Sequence, residues 1–188
     1  MVTLVLTHGA GSNRNAPLLV AIEQELAAHE VHVIRYDLPF RQARPTGPPS
    51  PANAVLDRAG LRQQVTAARA NGGVVCMGGI SYGGRQASML AAEEPDLAVG
   101  LLLLSYPLHP PGKPAQLRTA HLPQIRIPTL IVQGTNDPFG SPEELSAVLD
   151  LISAPRKLVT IANAGHDLGR DKIAAAHIIA REFLSFMC

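Results

Sequence analysis

The chain of 188 residues has almost no charge of either sign to spare, since sixteen Lys and Arg against fifteen Asp and Glu leave a formal +1 at pH 7. No basic run breaks that balance, so the sequence lacks the electrostatic footprint that nucleic acid or an anionic membrane surface would need. Cysteine is scarce too. Cys76 and Cys188 are the only two, which excludes a disulfide framework and gives no metal-ligand spacing. No apolar stretch is long enough to span a bilayer, and the opening Met1-Val2-Thr3-Leu4-Val5-Leu6 has neither the basic flank nor the cleavage site of a leader. These absences point to a soluble, cytoplasmic protein with no nucleic-acid or membrane partner. Internal repeats and low-complexity tracts are absent as well.

What is present is a hydrophobic fraction of 46% on a length suited to one domain over residues 1–188 with a sizeable core. Short apolar, β-branched-rich runs recur near residues 2–7, 31–37, 74–80, 99–104, 129–133 and 157–162. Between them lie stretches with helical spacing, such as Leu18, Leu19, Ile22 and Leu26, or Ile173, Ala176, Ala180, Phe183 and Met187. Continuous apolar strands alternating with amphipathic helices predict an α/β protein whose parallel sheet is covered on both faces. Residues 40–51, rich in Pro, Gly and Arg, read as a surface loop near the site, with Arg41 and Arg44 as solvated charges or, like Arg85, as contacts for an anionic substrate group. Ser50-Pro51 is placed to cap a helix running to Asn71, and Ser141-Pro142-Glu143-Glu144 to open another.

The third run ends in Gly78-Gly79-Ile80-Ser81-Tyr82-Gly83-Gly84-Arg85. A buried strand breaking into Gly-x-Ser-x-Gly and then into a helix is the strand, sharp turn and helix that hold a nucleophilic serine above a sheet. Ser81 is the candidate nucleophile, with the helix N-terminus beneath it suited to a developing oxyanion. A serine needs a base, and His166, in Asn163-Ala164-Gly165-His166-Asp167 after the last strand, is the candidate. Asp137, in Gly134-Thr135-Asn136-Asp137-Pro138, is the candidate that orients the imidazole, with Asp167 as the alternative acid. The order Ser, Asp, His along the chain fits this topology. Backbone N–H groups of Tyr82 and Ala10 are expected to form the oxyanion hole, Ala10 lying in His8-Gly9-Ala10-Gly11 after the first strand. His8, His109 and Arg85 are expected on the substrate-binding wall, with His121 near it; His8 could instead brace its loop, and Arg85 could do the same.

These residues resemble the α/β-hydrolase superfamily over essentially the whole chain. Together with Tyr106-Pro107-Leu108-His109-Pro110-Pro111-Gly112-Lys113-Pro114 and Pro128-Thr129-Leu130-Ile131-Val132-Gln133-Gly134, the elbow is similar to a small subfamily related to dienelactone hydrolases. That subfamily includes a testis-expressed protein and the hydrolase-like domain of a subunit of the nuclear NSL acetyltransferase complex. Dienelactone hydrolases proper use cysteine where this chain has Ser81. The resemblance implies a minimal six-stranded, mainly parallel sheet of order 2-1-3-4-5-6 with no cap domain. The expected activity is a cofactor-independent, metal-independent serine hydrolase acting on a small acyl substrate, an ester or thioester. A lactone or peptide cleaved by the same residues, and a non-catalytic interaction domain on the same fold, are the alternatives.

Overall fold

In the computed structural model, which describes residues 1–188, six strands lie side by side in one sheet. They are β1 (Val2–Thr7), β2 (Val31–Tyr36), β3 (Val74–Ile80), β4 (Gly100–Leu104), β5 (Thr129–Gly134) and β6 (Arg156–Ile161). Their order is β2-β1-β3-β4-β5-β6, and every neighbouring pair is parallel.

The unbroken apolar runs are explained by burial of both sheet faces. Side chains alternate along a strand, so Val5, Met77, Leu101 and Leu103 enter one core while Leu4, Leu6, Cys76, Leu102 and Leu104 enter the other. The first core is closed by α3 (Asn53–Ala70), α4 (Tyr82–Glu93) and α5 (Pro142–Leu149); the second by α1 (Pro17–Ala27) and α6 (Lys172–Met187). Fully buried leucines such as Leu4 and Leu101 each carry about 2–5 kcal/mol of stability against truncation to alanine.

Two local expectations need correction. Residues 40–51 are not all loop, because a short helix α2 (Pro39–Ala43) occupies their start. Pro39 at its first position needs no N–H partner, and Phe40 is buried against the core. Nor does Ser50 cap α3. That helix begins at Asn53, whose Oδ1 instead accepts from the backbone N–H and hydroxyl of Ser50. The capping box at Ser141 and Glu144 does form.

Because all strands run the same way, the segments after β1, β3, β5 and β6 emerge along one rim. The chain leaves β1 toward β2 on one side and returns to β3 on the other. A crevice opens at such a reversal beyond the strand ends, and it lies between the residue 8–12 loop and Ser81. No helix is long and apolar enough to cross a membrane.

Candidate active site

Ser81 sits between β3 and α4 with φ 51° and ψ −113°, a left-handed conformation that costs a residue with a side chain about 1–3 kcal/mol. The strain lifts the side chain off the strand and brings the start of α4 back against β1. Glycine is required where those backbones cross. A Cβ on Gly79 would stand 2.7 Å from the Gly83 carbonyl carbon, and one on Gly83 would stand 2.5 Å from the His8 carbonyl oxygen.

The hydroxyl, the imidazole and the carboxylate, distant in sequence, meet in one hydrogen-bonded line. His166 Nε2 lies 2.7 Å from Ser81 Oγ, and His166 Nδ1 lies 2.8 Å from Asp137 Oδ2 and 3.0 Å from Oδ1. Asp137 is buried and its oxygens are fully engaged. Oδ1 accepts from the Phe139 N–H at 2.9 Å and Oδ2 from Gln133 Nε2 at 2.9 Å. With a carboxylate at Nδ1, that nitrogen carries the proton and Nε2 presents a lone pair to the serine. The Phe139 ring stacks on the imidazole at 4.1 Å, which fixes its plane. Asp167, the alternative acid, turns away: its carboxylate is exposed and pairs with Lys172 at 3.1 Å, which lowers its pKa.

Ala10 and Tyr82 both line the cleft beside Ser81. Tyr82 opens α4, so its N–H has no helical carbonyl behind it. Ala10 follows β1, and its N–H makes no bond within the protein. Ala10 is held in place by Arg41, which is buried rather than solvated as its loop position suggested. Its guanidinium donates to the carbonyls of Ala10, Ser12, Arg44 and Gly47 at 2.7, 2.8, 3.2 and 3.1 Å. Tyr82 is held through Asp57, fully buried on α3, which accepts from the Tyr82 hydroxyl at 2.7 Å and the Phe40 N–H at 2.9 Å.

Above these groups lies a cleft of about 590 Å³, lined by Gly9 to Ser12, Ile80, Ser81, Tyr82, Arg85, Pro107, Arg118, Phe139, His166 and Asp167. Arg85 therefore lies on the wall as expected. His8 and His109 do not. His8 is fully buried, with Nδ1 donating to Gly9 O at 2.8 Å and Nε2 accepting from the Leu38 N–H at 3.2 Å. Since Nε2 is occupied as an acceptor, its 3.5 Å approach to Asp37 is not an ion pair. Burial lowers the His8 pKa further. His109 is also buried and joins Pro110 O to Glu144 on α5, at 2.9 and 3.3 Å. Both histidines fasten one segment to another behind the rim. His121 is similarly absorbed, 2.7 Å from Ser88 Oγ on α4. The Ser88 hydroxyl donates to Arg85 O at 2.8 Å, so His121 Nε2 must supply the proton between them. Burial and the charges of Arg85 and Arg58 push its pKa down to about 4.

Sequence position does not mark Asp57, Gln133 or Arg118 as site residues, nor Arg41 as a brace for the Ala10 loop. A signal exists for two of them. Gln133 interrupts the apolar run of β5 next to the site end, and Asp57 falls on the same helical stripe as Leu61, Val65 and Ala68, all buried.

Among proteins of known sequence, a 48-residue stretch is 50% identical to the polyketide synthase ThaQ of Burkholderia thailandensis, covering 26% of this chain but only 2% of that protein. Among solved structures, a dienelactone hydrolase from Anabaena variabilis superposes with a TM-score of 0.75 at 21% identity, over 99% of this chain and 87% of that one. An α/β serine hydrolase without a lid from Xanthomonas campestris gives a TM-score of 0.77 at 18% identity, over 98% and 81% of the two chains. These likenesses establish a shared fold, lidless in the second case as it is here. The family model described as an alpha/beta hydrolase domain matches residues 1–178, and the chain belongs to that family.

Proposed function

We propose that this chain is a serine hydrolase of carboxylic esters or thioesters that works through an acyl-Ser81 intermediate. The observation that carries the reading is the 2.7 Å contact between Ser81 Oγ and a His166 imidazole whose far nitrogen is anchored on buried Asp137. His166 takes the serine proton as Oγ adds to the carbonyl carbon, and the oxyanion that forms points at the N–H groups of Ala10 and Tyr82. Collapse of the tetrahedral adduct expels the alcohol or thiol, which receives the proton from His166. Water, deprotonated by the same imidazole, then frees the acid and restores Ser81. Asp137 keeps the imidazole in the required tautomer and stabilises the imidazolium.

The open cleft supports small or flexible acyl substrates. The narrower kinship with dienelactone-hydrolase-like proteins, including the testis-expressed protein and the NSL-complex subunit, belongs to the same reading and rests on residues 78–85, 106–114 and 128–134. A cytoplasmic setting is consistent with two free cysteines. Fluorophosphonate labelling tests the proposal: wild type is modified at one serine and Ser81→Ala is not. If wild type stays unlabelled where a control esterase reacts, the fold serves here as an interaction domain and the proposal fails.

A further inference from the structure

Arg85 is the one arginine, among those not exposed, that donates no side-chain hydrogen bond; Arg35, Arg41, Arg58, Arg62 and Arg118 all do. Its Nε is buried with no acceptor in reach, and no carboxylate pairs with it. On the same cleft, Arg118 has a single side-chain partner, the Pro107 carbonyl at 3.1 Å. Burial, and then the charge of Arg85, lower the pKa of Arg118. Two guanidinium groups thus line one cleft. The only carboxylate lining that cleft, Asp167, is already engaged by Lys172. A buried, unpaired donor and a like-charge neighbour are each unfavourable; Arg58 Nε, Gln86 Nε2 and Ser105 Oγ are also buried without a partner, but only Arg85 lines the cleft.

The wall is also held in place. Arg85 lies one turn along α4 from the nucleophile, its N–H bonded to Ser81 O at 2.9 Å. Helical side chains lean toward the N-terminus, so this one leans back toward Ser81. Arg118 sits in the long segment between β4 and β5, which is tied down by Tyr106 Oη donating to Arg118 O at 2.7 Å, by the Arg118 N–H donating to Leu108 O at 2.8 Å, and by His121 on Ser88.

We infer that Arg85 and Arg118 form an oxyanion-binding subsite, and that the substrate of Ser81 carries a carboxylate or phosphate a few bonds from the carbonyl under attack. Ser81 and both arginines line the one cleft, so the anion and the carbonyl belong to a single small ligand, as in the half-esters of short dicarboxylic acids. Guanidinium forks bind such groups with two parallel N–H···O bonds; Arg85 Nε is itself inaccessible, so the bonds would come from the Nη groups, of which only Arg118 Nη1 has an acceptor within the chain. The inference rests on the serine-hydrolase reading for the position of the reacting carbonyl, but not for the binding of the anion.

The experiment compares kcat/KM for matched esters. The 4-nitrophenyl half-ester of glutarate is set against 4-nitrophenyl valerate, 4-carboxyphenyl acetate against phenyl acetate, and 4-acetoxyphenyl phosphate against the last of these. Wild type should favour at least one anionic ester by roughly tenfold to a hundredfold, and the preference should shrink as salt is raised. The pair in which it appears tells carboxylate from phosphate and the acyl side from the leaving group. Arg85→Gln and Arg118→Gln should each collapse the ratio toward one, and Arg85→Lys should restore it in part. Glutarate or inorganic phosphate should slow fluorophosphonate labelling in wild type and not in Arg85→Gln. Neutral esters cleaved as well as anionic ones by a Ser81-labelled wild type would overturn the inference and leave the hydrolase reading standing. If no ester is cleaved, calorimetric titration of glutarate and phosphate into wild type and Arg85→Gln decides the subsite alone; binding lost on substitution supports it, and no binding overturns it.

Discussion

The two sides of the cleft are built to different rules. On one side Ser81, His166 and Asp137 are each partnered within the chain, and so is Gln133 behind them, whose amide also donates to Gly140 O at 2.9 Å and accepts from the Tyr106 N–H at 2.8 Å. On the Arg85–Arg118 side two cations share one protein acceptor. A satisfied network holds its geometry to within tenths of an ångström and needs no ligand to do so, whereas an unsatisfied pair stores a demand that a ligand can meet. The contrast separates the groups proposed to perform the chemistry from those proposed to choose what undergoes it.

The largest effect is expected from breaking the satisfied side. Asp137→Asn should lower kcat by about four orders of magnitude, because the amide stabilises the wrong imidazole tautomer; near-normal turnover would move the role to Asp167. Next comes the clamp behind it. Arg41→Ala frees the loop that presents the Ala10 N–H and should reduce kcat by up to about a hundredfold, the low end for losing an oxyanion donor, with KM changed far less. The segment that carries Arg118 has an acid-sensitive fastening. His121 titrates near 4 in the folded chain and near 6.5 when unfolded, so between these values the unfolded state binds the extra proton. Its contribution to stability is complete above pH 6.5 and is lost as pH falls toward 4. His121→Gln should flatten that part of an acid-unfolding profile followed by circular dichroism. The smallest effect sharpens the contrast most. Arg85→Gln removes an unpaired charge beside another and should leave thermal stability unchanged or raised by about 1 kcal/mol, where a substitution on the satisfied side lowers it. A fall in Tm would mean that Arg85 has a structural partner.

Much of this arrangement is legible in the sequence, and the reasons for what is not are physical. Strands buried on both faces leave unmistakable apolar runs, and the turn at Ser81 leaves its glycines, so the strands and the rim positions of Ser81, Asp137 and His166 follow from local pattern, whereas the sheet order follows from the family resemblance. Side-chain destinations do not. Arg41 lies in a segment whose composition is that of an exposed loop, yet it is buried against carbonyls 29 and 31 residues away. His8 is bound by the Leu38 N–H, 30 residues on, and His109 by Glu144, 35 residues on. Composition states that such a residue can bond; only the folded chain states which bond is within reach.

The backbone at position 81 has one more consequence. A glycine would occupy its left-handed conformation without strain, so Ser81→Gly should yield a molecule harder to melt than its parent and chemically silent. Durability and the proposed reactivity therefore pull against each other at a single residue, and a search for thermostable variants of this chain that ignored turnover would be drawn to discard the very side chain proposed to carry it.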